Sequence, residues 1–305
     1  MSQKFTISIG IPALNEEANI GYLLQDLLKQ KVGNSLLLKE ITVYSDTSTD
    51  QTENIVKRFH KNHSFIKLIV GKARVGKGGG MNSIISTTSS DVLIILDADI
   101  QVRDKFFIER IAASIVSGKA DLTSVLQKEL PPRTFLEKIV FAGMKIKNDI
   151  YWSYNQGQNL YTCHGHARAF SKRLYQNLRF PEIPGEDAFS YLYCVYNGYS
   201  YKFNSPPQTW YKLPNSYADH DKQSQRFLNS IKQQEKFFPP EFVRQQYHLP
   251  VPMSLAIVLK HLINNPIYSS LYLLVLTVSQ VKSLFYRNYN FAIWDLVTSS
   301  KTIRN

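Results

Sequence analysis

Cysteine is scarce: the 305 residues hold two, Cys163 and Cys194. That excludes a disulfide scaffold and a cysteine-based zinc site, and it suits a reducing compartment. Long apolar runs are absent too. A membrane-spanning helix needs about 20 consecutive apolar residues, and the most apolar stretch, Leu271–Val278, is far shorter. No G-x-G-x-x-G follows the first strand pattern, which disfavours a dehydrogenase, and no Walker A phosphate loop occurs. Zinc-finger, basic-zipper and RNA-recognition signatures are missing, so no nucleic-acid partner is expected. There is no internal repeat or low-complexity segment. A strand pattern begins as early as Phe5, so no signal peptide is expected. Acidic residues are few beside basic ones, 24 against 36, giving a net charge of +12. From Tyr201 onward 12 basic residues face 5 acidic ones, so +7 of that charge sits in the last third. Such a balance favours anionic partners. Positive charge beside apolar runs points to an anionic membrane surface.

What is present begins with core-forming material. Hydrophobic residues make up 44% of the chain, enough for a sizeable core in one large domain or two small ones. Val92–Leu96 (VLIIL) is an unbroken apolar run, the pattern of a strand buried on both faces. Asp97 and Asp99 follow at once, separated by Ala98. Ligands of α/β sheets sit at the carboxyl ends of strands. An i, i+2 carboxylate pair there presents oxygen ligands to a hard divalent cation. The same D-x-D also reads as a cap on the next turn.

Three strands precede it. Phe5, Ile7, Ile9 and Ile11 alternate on one face, and Pro12 is expected to end that strand. Asn15 reads as a helix N-cap, with Glu16 and Glu17 in the first turn. Ile20, Leu23, Leu24, Leu27 and Leu28 follow at helical spacing. Glu40–Tyr44 is the second strand, and the polar turn Ser45–Asp50 after it opens a helix through Phe59. Ile66–Val70 is the third. Strands alternating with helices predict a mostly parallel sheet with right-handed crossovers. Lys72–Asn82 (KARVGKGGGMN) puts four glycines and three basic residues ahead of a helical stretch. Glycine lets backbone approach a ligand, and a helix N-terminus with Lys attracts phosphate. A flexible basic loop is the plain alternative.

Phe135–Tyr154 reads as a long helix. Thr162–Arg168 (TCHGHAR) then sets His164 and His166 about Gly165 in a tight polar turn. Such a pair binds metal or substrate, or merely satisfies a loop. Glu186 and Asp187 precede the apolar and aromatic helix Ala188–Tyr196, where Asp187 reads as a cap or as a base. Gln223–Phe227 (QSQRF) lies in a polar helical stretch closed by Pro239 and Pro240. Gln245–Leu259 and His261–Val281 carry no Asp, Glu, Lys or Arg, and Lys260, Lys282 and Arg287 flank them. Two helices lying in the membrane interface fit this pattern, as does a buried soluble pair. The expected division is a domain over 1–240 and a C-terminal membrane-interface helical region over 241–305.

Together these pieces resemble the family 2 glycosyltransferases of the GT-A fold. The matching motifs run in order from Ile7 to Phe227: ISIGIPALNEE, SDTSTDQT, GKGGGMN, DAD, GED and QSQRF. The last two are shared with the catalytic domains of cellulose, chitin and hyaluronan synthases. The resemblance implies an α/β GT-A fold. It implies inverting transfer from a nucleotide-sugar, with uridine the first choice of base. The implied acceptor is lipid-linked or a surface glycan, at the cytoplasmic face of a membrane. It places Pro12, Glu16 and Asp46 near base and ribose, and Lys77 near the nucleotide or its phosphates. Asp97 would touch the ribose or the metal, and Asp99 would bind Mg2+ or Mn2+ bridging the diphosphate. Asp187 would be the base. Gln223 and Arg226, with Glu186 and Phe227 beside them, would hold the acceptor or the diphosphate. His220 is the candidate for a histidine completing the metal shell.

The chain departs from that pattern twice. Thr47 stands where the family usually has Gly, and Phe227 replaces the usual Trp. Its apolar length is also too small for a self-made channel, so addition of one or a few sugars is expected rather than long processive synthesis. Two rivals are a non-catalytic nucleotide-sugar-binding scaffold and a sugar-phosphate nucleotidyltransferase. Asp99 and Asp187 together argue against the first, and Ile7–Glu17 lacks the glycine-rich loop the second requires. Polyprenyl-phosphate sugar synthases resemble the N-terminal half but generally lack the GED and QxxRW elements.

Overall fold

The computed structural model describes residues 4–285 and Ile303. The first half alternates strand and helix: β1 (Phe5–Ala13), α1 (Ile20–Leu28), β2 (Leu36–Ser45), α2 (Thr52–Asn62), β3 (Ile66–Val70), α3 (Gly76–Thr87), β4 (Val92–Leu96), α4 (Phe107–Val116) and β5 (Leu122–Glu129). Then come α5 (Phe135–Ser153), β6 (Ala167–Ser171), α6 (Lys172–Tyr175), α7 (Glu186–Tyr196), β7 (Tyr201–Tyr211) and α8 (Tyr217–Gln234). The helices α9 (Pro240–Tyr247), α10 (Val251–Asn264) and α11 (Pro266–Phe285) complete the described chain. The strands form one sheet in the order β3-β2-β1-β4-β6-β5-β7. All neighbours are parallel except β6, which runs antiparallel to both β4 and β5.

β4 feeds two cores, which is why its apolar run has no alternation. Val92, Ile94 and Leu96 pack with Ile7, Ile9 and Ile11 on one face. Leu93 and Ile95 pack with Met81, Ile84 and Leu192 on the other. Each such side chain contributes about 1.5–3 kcal/mol by leaving water.

Three local expectations change. β1 runs through Pro12 to Ala13, because its pairing with β4 ends at Gly10 while β2 continues beside it. Proline is tolerated at such a half-paired edge. Asn15 is not a cap: it takes a left-handed φ of 52°, and its Oδ1 accepts from the Thr49 N–H at 2.8 Å. The helix instead starts at Ile20, after Asn19. Gly76–Gly80 belong to α3 rather than to a loop. A Cβ on Gly80 would lie 2.8 Å from the Tyr44 ring, so glycine lets α3 approach β2 closely.

The C-terminal helices are two-faced. Ser269, Tyr272 and Ser279 of α11 are buried, and Gly143 of α5 leaves the space that the Tyr272 ring fills. His261 Nε2 lies 2.8 Å from Asp149 of α5. Gln225 of α8 donates to the Ser279 carbonyl at 2.8 Å. The other face is apolar and exposed: Val251, Leu255, Leu259 and Ile263 recur at spacing four along α10. Ile267, Leu274, Val278 and Val281 continue it on α11. Among the described residues no helix is long and apolar enough to cross a membrane. Arg287 lies outside the described residues.

Candidate active site

The antiparallel insertion of β6 builds the centre. Leu96 at the end of β4 pairs with Ala167 at the start of β6. Asp97 and His166 therefore meet, and the Asp97 N–H donates to the His166 carbonyl at 2.9 Å. The His166 Nδ1 is buried with no hydrogen-bond partner, and its ring stands edge-on to Tyr211 at 4.6 Å. Burial pushes His166 down to about 4, although Asp97 pulls the other way, so the ring is neutral at pH 7. Burial pushes His164 down to about 3.

Lys77, in the first turn of α3, extends into this centre. Its Nζ lies 2.6 Å from Asp97 Oδ1 and 2.6 Å from Glu186 Oε1. Burial would lower its pKa, but the two carboxylates outweigh burial and hold it above the ordinary value. Burial likewise raises Glu186, yet Lys77 and Arg168 outweigh it and hold that carboxyl near 2. Arg168 is fully buried and donates to the Glu186 carbonyl at 3.0 Å and to Ser190 Oγ at 2.8 Å. Gly165 faces the cluster, since a Cβ there would lie 2.9 Å from Lys77 Nζ and 3.7 Å from Asp187 Oδ2.

Glu186 and Asp187 open α7 directly after Gly185, whose φ of 80° suits glycine. The Asp187 carboxylate accepts from the Ala188 N–H at 2.8 Å. Burial raises its pKa, and the charge of Glu186 raises it further. Burial also raises Asp97, against Lys77. From the other side α8 closes on Gly185, where Gln234 donates to its carbonyl at 3.0 Å. Arg226, on the same helix, comes under the fields of Glu186, Asp187, Asp97 and Asp99. Gln223 sits one turn earlier on that face. Phe227 is 44% exposed, with its ring 6.2 Å from Tyr161 and 6.4 Å from Tyr247. Tyr161 in turn stacks on Tyr151 at 4.5 Å.

The ends of β1 and β2 carry the remaining candidates. Asp46 accepts from the Val75 N–H at 2.8 Å and the Gly76 N–H at 3.0 Å, tying β2 to the start of α3. Glu16 accepts from Asn19 at 3.0 Å. Pro12 packs beside Gly80.

His220 lies against Tyr272 and under the charge of Lys147, and burial pushes it down to about 4. Among the described residues no group of three ligating side chains could hold a metal ion. The histidine beside the D-x-D is His166, one of the pair in TCHGHAR that could bind metal or substrate. Arg168, Tyr161 and Tyr247 were not legible as parts of this site, because the short buried strand β6 that brings Arg168 in carries no period of its own. Asp97 and Asp99 still fit Mg2+ or Mn2+. Mg2+ is ordinarily held by one or two carboxylates plus substrate phosphate, not by an all-protein cage.

The profile of the family described as Glycosyl transferase family 2 matches residues 8–179, more than half of the chain. The chain belongs to glycosyl transferase family 2. The probable glycosyltransferase YdaM of Bacillus subtilis is 35% identical over 96 residues, 30% of this chain and 22% of that protein. A beta-monoglucosyldiacylglycerol synthase of Nostoc is 32% identical over 98 residues, 32% of this chain and 20% of the relative. The matches thus span about a fifth of these relatives' lengths. Among solved structures, the mannosyltransferase PcManGT from Pyrobaculum calidifontis, in complex with GDP-Man and Mn2+, superposes with a TM-score of 0.68. Its identity is 17%, over 94% of this chain and 89% of that one. TarS 1–349 of S. aureus with UDP gives 0.52 at 20% identity, over 74% of this chain and 65% of that one. These likenesses establish the GT-A fold.

Proposed function

We propose that this chain is an inverting glycosyltransferase that moves a sugar from a nucleotide-sugar to a lipid-linked or glycan acceptor at a membrane. One observation carries the reading: half-buried Asp187 lies in a cluster with Lys77, Glu186 and Asp97, under the field of Arg226. The nucleotide, UDP by preference, lies over the ends of β1 and β2, with Pro12, Glu16 and Asp46 near base and ribose. Asp46 also fixes the backbone at Val75 and Gly76, so Lys77 enters the site already oriented. Asp187 accepts the proton of the acceptor hydroxyl. The freed oxygen bonds to the anomeric carbon from the face opposite the nucleoside diphosphate, whose bond to that carbon breaks. A base with a raised pKa, held beside a carboxylate that stays charged, suits this step. Arg226 and Gln223 hold the diphosphate or the acceptor, and Phe227 with Tyr161 forms an aromatic wall for it. Mg2+ or Mn2+, held by Asp99 and Asp97, supplies positive charge to the leaving diphosphate.

The exposed apolar face of α10 and α11 lies on an anionic membrane surface at the cytoplasmic face, with Lys260 and Lys282 beside it. In this division residues 1–240 are the transferase domain and 241–305 the membrane-interface region, whose helices α10 and α11 pack on that domain. The lipid acceptor of the Nostoc relative, a beta-monoglucosyldiacylglycerol synthase, supports that placement. Asp187→Asn should abolish transfer while sparing donor binding, and Asp99→Ala should weaken metal-dependent donor binding. Equal loss of donor binding in the two variants overturns this division of roles.

A further inference from the structure

We infer that a second cavity, beside the D-x-D loop, binds the phosphate of a phosphorylated acceptor. This deepens the glycosyltransferase reading and rests on it. The cavity measures about 480 Å3 and is lined by Gln101, Arg103, Arg133, Lys212, Leu130 and Leu213, among others. It sits at the carboxyl end of the sheet. Gln101, two residues past Asp99, exchanges backbone hydrogen bonds with Trp210 of β7 at 2.9 and 3.0 Å. The Leu130 N–H donates to the Tyr211 carbonyl at 2.8 Å. Lys212 follows Tyr211, whose ring stands edge-on to that of His166, and the His166 carbonyl accepts from the Asp97 N–H.

Cations outnumber acids here: Arg103, Arg133 and Lys212 line the cavity with one carboxylate, Glu137. The Arg103 guanidinium lies 4.2 Å from the Trp210 ring centre and donates to Gln101 Oε1 at 2.8 and 3.1 Å. Lys128 Nζ lies 5.6 Å from the same ring. Among the described residues Arg103, Lys128, Arg133 and Lys212 form no ion pair with a carboxylate. Glu137 also lines the cavity, but its Oε2 accepts from the backbone N–H groups of Arg133 and Thr134 at 2.6 and 2.8 Å. Those bonds hold the carboxylate at the start of α5 and leave one negative charge against the three cations of the lining. Like charges focused on one concavity repel each other until an anion enters. Arginine's planar fork matches phosphate oxygens, and Leu130, Pro131, Pro132 and Leu213 suit the first carbons of an attached chain. The donor's diphosphate does not account for this cavity, because Lys77, Arg226 and the D-x-D pair serve it elsewhere.

Calorimetry on the full chain, saturated with UDP, tests this with hexyl phosphate, hexanol and inorganic phosphate as probes. Hexyl phosphate should bind one to one with UDP in place, and hexanol should not. Arg133→Gln/Lys212→Gln should weaken hexyl phosphate at least tenfold and leave UDP within twofold. A tenfold preference for hexyl phosphate over inorganic phosphate assigns the site to a lipid phosphate. Equal binding of the two assigns it to a free phosphorylated acceptor. Displacement by UDP, equal weakening of UDP in the variant, or no weakening at all overturns the inference. Failure of the wild type to bind any nucleotide defeats the transferase reading. Nucleotide binding without hexyl phosphate binding defeats this inference alone.

Discussion

Replacing Lys77 with methionine removes the one ammonium that lies 2.6 Å from both Asp97 and Glu186. Methionine fills similar space, so packing is nearly kept and the charge is what changes. Breaking a buried pair by deleting one partner costs about 3–5 kcal/mol. A second route gives the same scale. Glu186 titrates near 2 in the fold against an ordinary 4.5, about 2.5 units, or about 3 kcal/mol at the usual conversion. Burial opposes that depression, and Lys77 is first among the groups that cause it. The sign follows. A depressed carboxyl contributes stability in full above its unfolded value and loses it as pH falls toward the folded value. The gap between wild type and Lys77→Met should therefore be full at pH 7 and close between about pH 4.5 and pH 2. Urea unfolding across that range, with both proteins at equal concentration, measures it. A loss under about 1 kcal/mol at pH 7, or a gap independent of pH, refutes the claim that Lys77 neutralises this cluster.

Three further outcomes are expected. Gly143→Ala drives a methyl group into the Tyr272 ring and should cost about 1–3 kcal/mol; a thermal melt unchanged within error would show that α11 is not docked there. The acid limb of kcat/KM should lie above the range of an ordinary aspartate, because Asp187 is raised by burial and by Glu186, and Glu186→Gln should move the limb downward; an unmoved limb removes Glu186 from the cause. Leu255→Glu/Ile263→Glu alters exposed positions only, so the protein should stay folded and cease to sediment with anionic vesicles; continued binding contradicts the interfacial placement. These surface changes test the placement more cleanly than truncation of the C-terminal helices, which would strip buried Tyr272 from α5.

The parallel half of the sheet was legible because VLIIL and the alternating isoleucines state their burial directly. The antiparallel β6 was not. Ala167–Ser171 is five residues long and buried throughout, so it carries no period, and its partners lie far away in sequence. His166 and Arg168 enter the site only through that pairing, whereas His220 was put forward by the family resemblance alone. The sequence sets the glycine run ahead of a helix, whereas the packing of Gly80 on Tyr44 and of Gly78 on Phe180 holds it inside α3 although glycine disfavours helices. Thr47 is the reverse case. Its departure from the family's usual glycine is visible in sequence, and its φ of 60° supplies the reason that glycine is favoured there. Asp97, Asp99, Glu186, Asp187 and Arg226, chosen from separate motifs, converge on one centre. Their types announce chemistry, but their mutual distance is a property of the fold.

The most direct test is release of free nucleoside diphosphate from a panel of nucleotide-sugars, with Mn2+ or Mg2+ and membranes as acceptor source, in wild type and Asp187→Asn. The expected result is release from one donor by the wild type and none by the variant. Silence across the panel from folded wild type that also binds no nucleotide, or equal release by both proteins, would contradict a transferase centred on Asp187.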